Sequence, residues 1–360
     1  MTTATMSQRD AQAHPAAEAE DAGALGRACA AARVYAEASH AVTTRAVYAG
    51  AWRRWAQWCA TMHTPALPAA PDAVGAYLAA LAGSGRSLAG VKGALAAIVA
   101  HHADAGHVLD RRHPAIARVR AGIARLHARP LVRARALGLD ELARIVAPLE
   151  NGDVRALRDR ALLLVGFFGA LRRSELVALD VAGSMPRDVA SGPSGDNARG
   201  RSSIEILPEG LRLHITGAKA SQATQSIAVC RRDDALCPAA ALAGYLSAAQ
   251  ISYGPLFRAV SRGGRLLDRR LDATSLRHIL RTRTAAAFAG EDAAGIAARL
   301  HRLSPHSLRA GLITAAAAHG APEHAIQASS RHASPAVLRT YIRPADAFAA
   351  GVGAYLKDVR

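Results

Sequence analysis

The chain is predicted to be mainly α with one small antiparallel β-sheet, on three observations. Apolar residues make up 51% of the 360-residue chain while aromatics make up only 4%, a composition suited to close helix packing through small side chains rather than to large sandwiches. Most of the chain repeats apolar residues with a helical period. Only between residues 204 and 229 does the pattern become short and alternating.

Residues 1–36 are small, mixed and weakly patterned, which predicts a flexible tail with one late helical turn. The next segment places Tyr48, Trp52, Trp55 and Cys59 at i, i+4, i+7 and i+11, with Arg45, Arg53 and Arg54 turned away. That spacing predicts an amphipathic helix whose aromatics form core rather than a base-stacking platform. Three further helices are expected: 72–82 started by Pro71-Asp72, 87–105 with a stripe of Leu88, Val91, Leu95 and Ile98, and 114–127 with Ile116, Val119, Ile123 and Leu126. Together, 37–127 should form a helical bundle.

Residues 128–138 contain Pro130 and are rich in Arg without a clean stripe, so they are expected to be a basic linker. The larger part, 139–360, should open with helices at 139–149 and 156–170, followed by a turn carrying GALRRSELVALD. Residues 183–203 are rich in Gly, Ser and Pro and read as a loop. IEIL, LRLHIT and QSIAV then predict three antiparallel strands, with Lys219 at the tip of the last hairpin. From Pro238 onward helical patterns resume to the end.

Lys and Arg number 45 against 28 acidic residues, a net charge of +17. Such a charge attracts polyanions, nucleic acid first among them, and keeps free molecules apart by repulsion. Only Lys92, Lys219 and Lys357 are lysines, so a Lys is an unusual choice here. Cys29, Cys59, Cys230 and Cys237 lack CxxC or metal-ligand spacing, and no stretch has the apolar length of a signal peptide or membrane span. A cytoplasmic protein, without a metal or other cofactor and away from membranes, is expected.

His306 and Arg309 lie at i and i+3 on one helix face, preceded by Ser304-Pro305 at a helix N-terminus, where the dipole favours a bound anion. Arg172 follows Gly169-Ala170-Leu171 at a helix junction, with Glu175 placed to hold its guanidinium. In order along the chain, GALRRSEL, ITGAKASQATQSIAV, PHSLRAG and SRHASPAVLRTYIRP closely resemble the motifs of the tyrosine recombinase (phage integrase) family, and the resemblance runs from about residue 40 to the end. It implies an N-terminal SAM-like core-binding domain and a catalytic domain acting on double-stranded DNA. It also implies an active-site set of Arg172, Lys219, His306, Arg309 and His332, with Tyr341 as nucleophile. Ala170 and Arg331 depart from it, since the family usually has Gly at both places.

The chemistry suits those residue types. Two guanidinium forks can neutralise the extra negative charge of a phosphorane-like transition state without a metal, and a phenol can carry the phosphate covalently so that religation needs no ATP. His306 is a candidate base, and Lys219 a general acid, a part that Arg plays poorly because it scarcely deprotonates. By the same resemblance the enzyme would be a site-specific recombinase assembling as a tetramer on DNA, its tail docking on a neighbour through Phe348, Val352 and Leu356. The alternatives are relaxation of supercoils in the manner of a type IB topoisomerase, or a catalytically silent DNA-binding protein of the same fold.

Overall fold

The structure is a computed structural model and describes residues 26–32, 34–35, 42–127, 133–181, 202–216, 224–332 and 334–341. The chain divides into two compact units, Met1–Leu131 and Val132–Arg360.

In the first unit, α1 (Val42–Thr61), α2 (Pro71–Gly83), α3 (Leu88–Asp104) and α4 (Pro114–Leu126) pack as α1 on α3, α2 on α3 and α2 on α4. The aromatic stripe is core: Trp55 is fully buried, and its indole N–H donates to the Ala66 carbonyl at 3.1 Å. Pro71 and Ser87 act as the helix-start residues they suggest, Ser87 accepting from the Gly90 N–H. His102 is buried and satisfied, with Nε2 accepting from the Ala69 N–H at 2.9 Å and Nδ1 on the Ile98 carbonyl at 2.8 Å. One residue departs from the expected stripe. Leu126 is 83% exposed because it is the last residue of α4, beyond the stretch where Ile116 and Ile123 meet the core.

The second unit is built around α6 (Val154–Phe168), whose C-terminal half, from Ala161 on, is apolar on every side and buried accordingly: Leu162, Leu163, Leu164, Val165 and Phe167 are all fully covered. Around it stand α5 (Leu139–Val146), the short α7 (Arg173–Ala178), α8 (Pro238–Ala249) and α11 (His306–Ala318), with α9 (Ser275–Ala287) against α5 and α10 (Ala293–Leu300) against α9. α12 (Glu323–Ser330) packs on α11 and is followed by α13 (Pro335–Arg339). Residues 133–138 join this core, with Leu137 wholly buried and its N–H bonded to the Ser307 carbonyl at 3.1 Å. Gly311 permits that approach. A Cβ there would lie 2.3 Å from the Leu137 carbonyl oxygen and 2.6 Å from the Phe167 ring.

The expected strands are present as β2 (Ser203–Leu207), β3 (Gly210–Ile215) and β4 (Gln225–Cys230), antiparallel to one another. The sheet is larger than expected and mixed. Its order is β4-β3-β2-β1-β5, with β1 (Asp180–Val181) parallel to β2 and β5 (Gly254–Pro255) antiparallel to β1. Strands of two residues carry no alternation, so only long-range pairing could reveal them. The expectation of helix from Pro238 onward also fails at 258–270, where β6 (Arg258–Val260) and β7 (Leu266–Arg270) form a hairpin around Gly263-Gly264. Its charged, half-exposed residues hide the strand period. The helical turn of the N-terminal tail is present at 26–32. Most of the 183–203 loop, Lys219, and the tail residues Phe348, Val352 and Leu356 lie outside the described residues.

Candidate active site

Five of the six expected site residues meet in the second unit, brought together by three helix ends. The first is the α6–α7 junction. After Phe168 the chain turns through Ala170 in the left-handed region (φ 45°), an unusual conformation for a residue with a Cβ, and Arg172 becomes the N-cap of α7. The Arg172 backbone N–H donates to Glu175 Oε2 at 2.8 Å and its guanidinium to Oε1 at 2.6 Å. Glu175 is buried, which alone would raise its carboxyl, yet the charge of Arg331 and the hydrogen bonds and charge of Arg172 hold it below the usual carboxylate range.

The second end is the start of α11. Arg309 is 1% exposed and donates to the Ala170 carbonyl at 2.7 Å. Burial, then the charges of Arg172 and Arg331, pull its pKa to about 10. A guanidinium so short of counter-charge attracts an anion strongly. His306, three residues earlier, sits at the surface. Partial withdrawal from water and the charges of Arg309 and Arg172 lower its pKa, so it is neutral near pH 7 and free to accept a proton.

The third is the α12–α13 corner. Ile313, Ile326 and Leu338 form a small buried cluster that seats α12 and α13 on α11, with Tyr341 packed at its edge. Tyr341 Oη lies 2.7 Å from His306 Nε2. His332 Nε2 faces Arg309 Nη2 at 3.5 Å, and its Nδ1 meets Ser330 Oγ at 2.8 Å. Burial and the charges of Arg309, Arg172, His306 and Arg331 drive the His332 pKa down to about 4. It is therefore a neutral hydrogen-bonding group.

Chemically, the arrangement presents a phenol against a neutral imidazole, next to guanidiniums with an uncompensated positive excess. His306 is exposed, and His332 and Tyr341 are half-buried. A cleft of about 590 Å³ lined by Arg155, Arg158, Arg262, Arg269 and Arg283 shares none of the six residues.

No protein-family model matches the chain. The integrase/recombinase xerD homolog of Selenomonas ruminantium is 28% identical over 202 residues, which are 55% of this chain and 51% of that protein. The chain thus matches about half the length of that curated relative. Among solved structures, a lambda integrase dimer bound to a COC′ core site matches with TM-score 0.53 at 15% identity, over 87% of this chain and 76% of that one. A second lambda integrase structure, of its residues 75–356, gives 0.52 at 16% identity over 88% and 93%. The chain shares its fold with lambda integrase.

The structure adds residues that the motifs do not mark. Arg133, in the segment expected to be a linker, donates to the Thr340 carbonyl at 3.0 Å and lies 5.8 Å from the centre of the Tyr341 ring. Thr314 reaches the Tyr341 carbonyl at 3.4 Å. Arg331 adopts the left-handed conformation (φ 55°) and folds its guanidinium inward, 2.8 Å from Glu175 Oε2 and 3.3 Å from the Ala170 carbonyl. Among the described residues its Nε and Nη1 are buried without a hydrogen-bond partner. The conformation costs about 1–2 kcal/mol and each unpaired buried donor about 1–3 kcal/mol. Nothing in local sequence periodicity announces such contacts.

Proposed function

We propose that the protein is a site-specific DNA recombinase that cuts and rejoins double-stranded DNA through a 3′-phosphotyrosyl intermediate at Tyr341, with no metal or ATP. The observation that carries this reading is the 2.7 Å contact of Tyr341 Oη with a neutral His306, set beside Arg172 and the charge-starved Arg309. His306 takes the phenolic proton, and the phenolate oxygen attacks phosphorus. Arg172 and Arg309 neutralise the added charge on the non-bridging oxygens, with His332 as a further donor or acceptor. The bond from phosphorus to the 5′ oxygen breaks, and Lys219 protonates the leaving oxygen. Religation reverses these steps with another strand's 5′-hydroxyl, conserving the bond energy.

The net charge of +17 supplies salt-dependent affinity for the phosphate backbone. The fold it shares with a lambda integrase bound to its core site supports a duplex as substrate. Four sites are needed for a complete exchange, so we place the active form as a tetramer on DNA, linked through the C-terminal tail. Such an enzyme works in the cytoplasm. Among the described residues no helix is long and apolar enough to cross a membrane.

The test uses the full chain and a random-sequence duplex library carrying single nicks, denatured in detergent after incubation. A covalent protein–DNA adduct mapping to Tyr341 is expected. Tyr341→Phe, which removes only the phenolic oxygen, should bind DNA as well and form none. An adduct at normal yield from Tyr341→Phe, or none from the native protein, would overturn the proposal.

A further inference from the structure

We propose that Arg331 is a positioning residue of this strand-transfer site, locking both phosphate-clamp arginines from behind through Glu175 and the Ala170 carbonyl. The inference rests on the function proposed above. Its basis is shared anchors. Glu175 gives Oε1 to Arg172 and Oε2 to Arg331, and the Ala170 carbonyl accepts from both Arg309 and Arg331. One guanidinium thus ties together the two backbone and side-chain points on which Arg172 and Arg309 rest.

The Arg331 side chain is 6% exposed, so it does not itself reach a phosphate and acts through its neighbours. It also changes the charge balance. With Arg331 the cluster holds three guanidiniums against one carboxylate, an excess of two positive charges close to His332. By sharing Glu175, Arg331 leaves Arg172 less neutralised and more available to an incoming anion. Arg331 stands here on a left-handed backbone that suits glycine, with two buried donors that have no partner among the described residues. A residue that carries both costs is better explained by function than by stability. Its guanidinium also joins the end of α12 to the start of α7, so the segments bearing His332 and Arg172 are fixed relative to each other.

Arg331→Gly and Arg331→Lys test the assignment. Glycine suits the left-handed position, so Arg331→Gly should fold with equal or greater thermal stability, which a merely structural role would not allow. Without DNA, two readouts apply: the His332 titration midpoint by NMR, and the rise in melting temperature caused by inorganic phosphate. The charged groups facing His332 are Arg309, Arg172, His306 and Arg331, beside the Ser330 hydroxyl and the Tyr341 ring. In Arg331→Gly the midpoint should rise and the phosphate effect shrink. Arg331→Lys should restore the midpoint, because the charge returns, but not the phosphate effect, because a fork is lost. On duplexes recovered as Tyr341 adducts, Arg331→Gly should lose about 10- to 100-fold in adduct rate, as expected for misplaced catalytic groups, with DNA affinity within a few-fold. An unchanged midpoint and phosphate response, or an unchanged adduct rate, would overturn the role of Arg331. A native protein that forms no adducts removes the strand-transfer reading instead, and the DNA-free measurements then still decide whether Arg331 sets the anion site.

Discussion

Replacing Arg309 with methionine should make the free protein at least as stable while abolishing its chemistry. The magnitude follows from the environment of the guanidinium. Its pKa falls from 12.5 to about 10 with the side chain almost wholly buried, and at about 1.4 kcal/mol per tenfold change the charged form is disfavoured by about 3 kcal/mol. Methionine of similar length fills the site without a large cavity, and the Ala170 carbonyl keeps its bond from Arg331. Against the relief stands a lost charge-assisted hydrogen bond of about 1.5–3 kcal/mol. The balance lies between zero and about 2 kcal/mol in favour of Arg309→Met, and for a unit of this size each kcal/mol moves the melting temperature by roughly 2–4 °C. Chemical and thermal unfolding at low ionic strength would measure it, with and without inorganic phosphate. Phosphate should stabilise the native protein more than the variant, because it relieves the uncompensated charge. A loss of more than about 1 kcal/mol in Arg309→Met would show that the guanidinium holds the fold together and would refute the argument that its charge is held in strain.

Two other outcomes bear on separate groups. Lys219→Ala should cleave an ordinary phosphodiester very slowly yet recover much of its rate when the 5′ bridging oxygen is sulfur, since a thiolate leaves without a proton; equal impairment on both substrates would remove Lys219 from the acid role. For His332, a folded pKa near 4 against an ordinary 6.5 means that the folded state binds fewer protons, so its contribution is complete above pH 6.5 and is lost as pH falls toward 4. The unfolding free energy from denaturant titration should therefore decline between pH 6.5 and 5, by about 1 kcal/mol after allowance for solvent screening, and decline less in His332→Gln. Identical slopes in the two proteins would contradict the depressed imidazole.

How much of the site was legible follows from what local spacing encodes. His306 and Arg309 fall on one turn of helix, and Arg172 and Glu175 on another, so each pair could be placed from its own few residues. The stripe through Trp55 and Cys59 likewise announced a buried face. The contact of Arg133 with the Tyr341 segment spans 207 positions from Arg133 to Thr340, and that of Arg331 with Glu175 spans 156. No periodicity reaches across such distances.

The sequence by itself determined the mainly helical class, the three strands β2, β3 and β4, and the residue types grouped around Tyr341. It could do so because helical and strand periods, caps and short motifs are written in neighbouring residues. The tertiary structure decided that the sheet is mixed, because β1 and β5 have only two residues each and exist through their partners. It decided that Arg331 turns inward rather than toward solvent, since a left-handed backbone at the end of α12 aims the side chain at a carboxylate and a carbonyl supplied by the α6–α7 junction. It also set the charge of the histidines, because burial and neighbouring guanidiniums act through space, and distance through space is fixed only when α11, α12 and α7 are packed together.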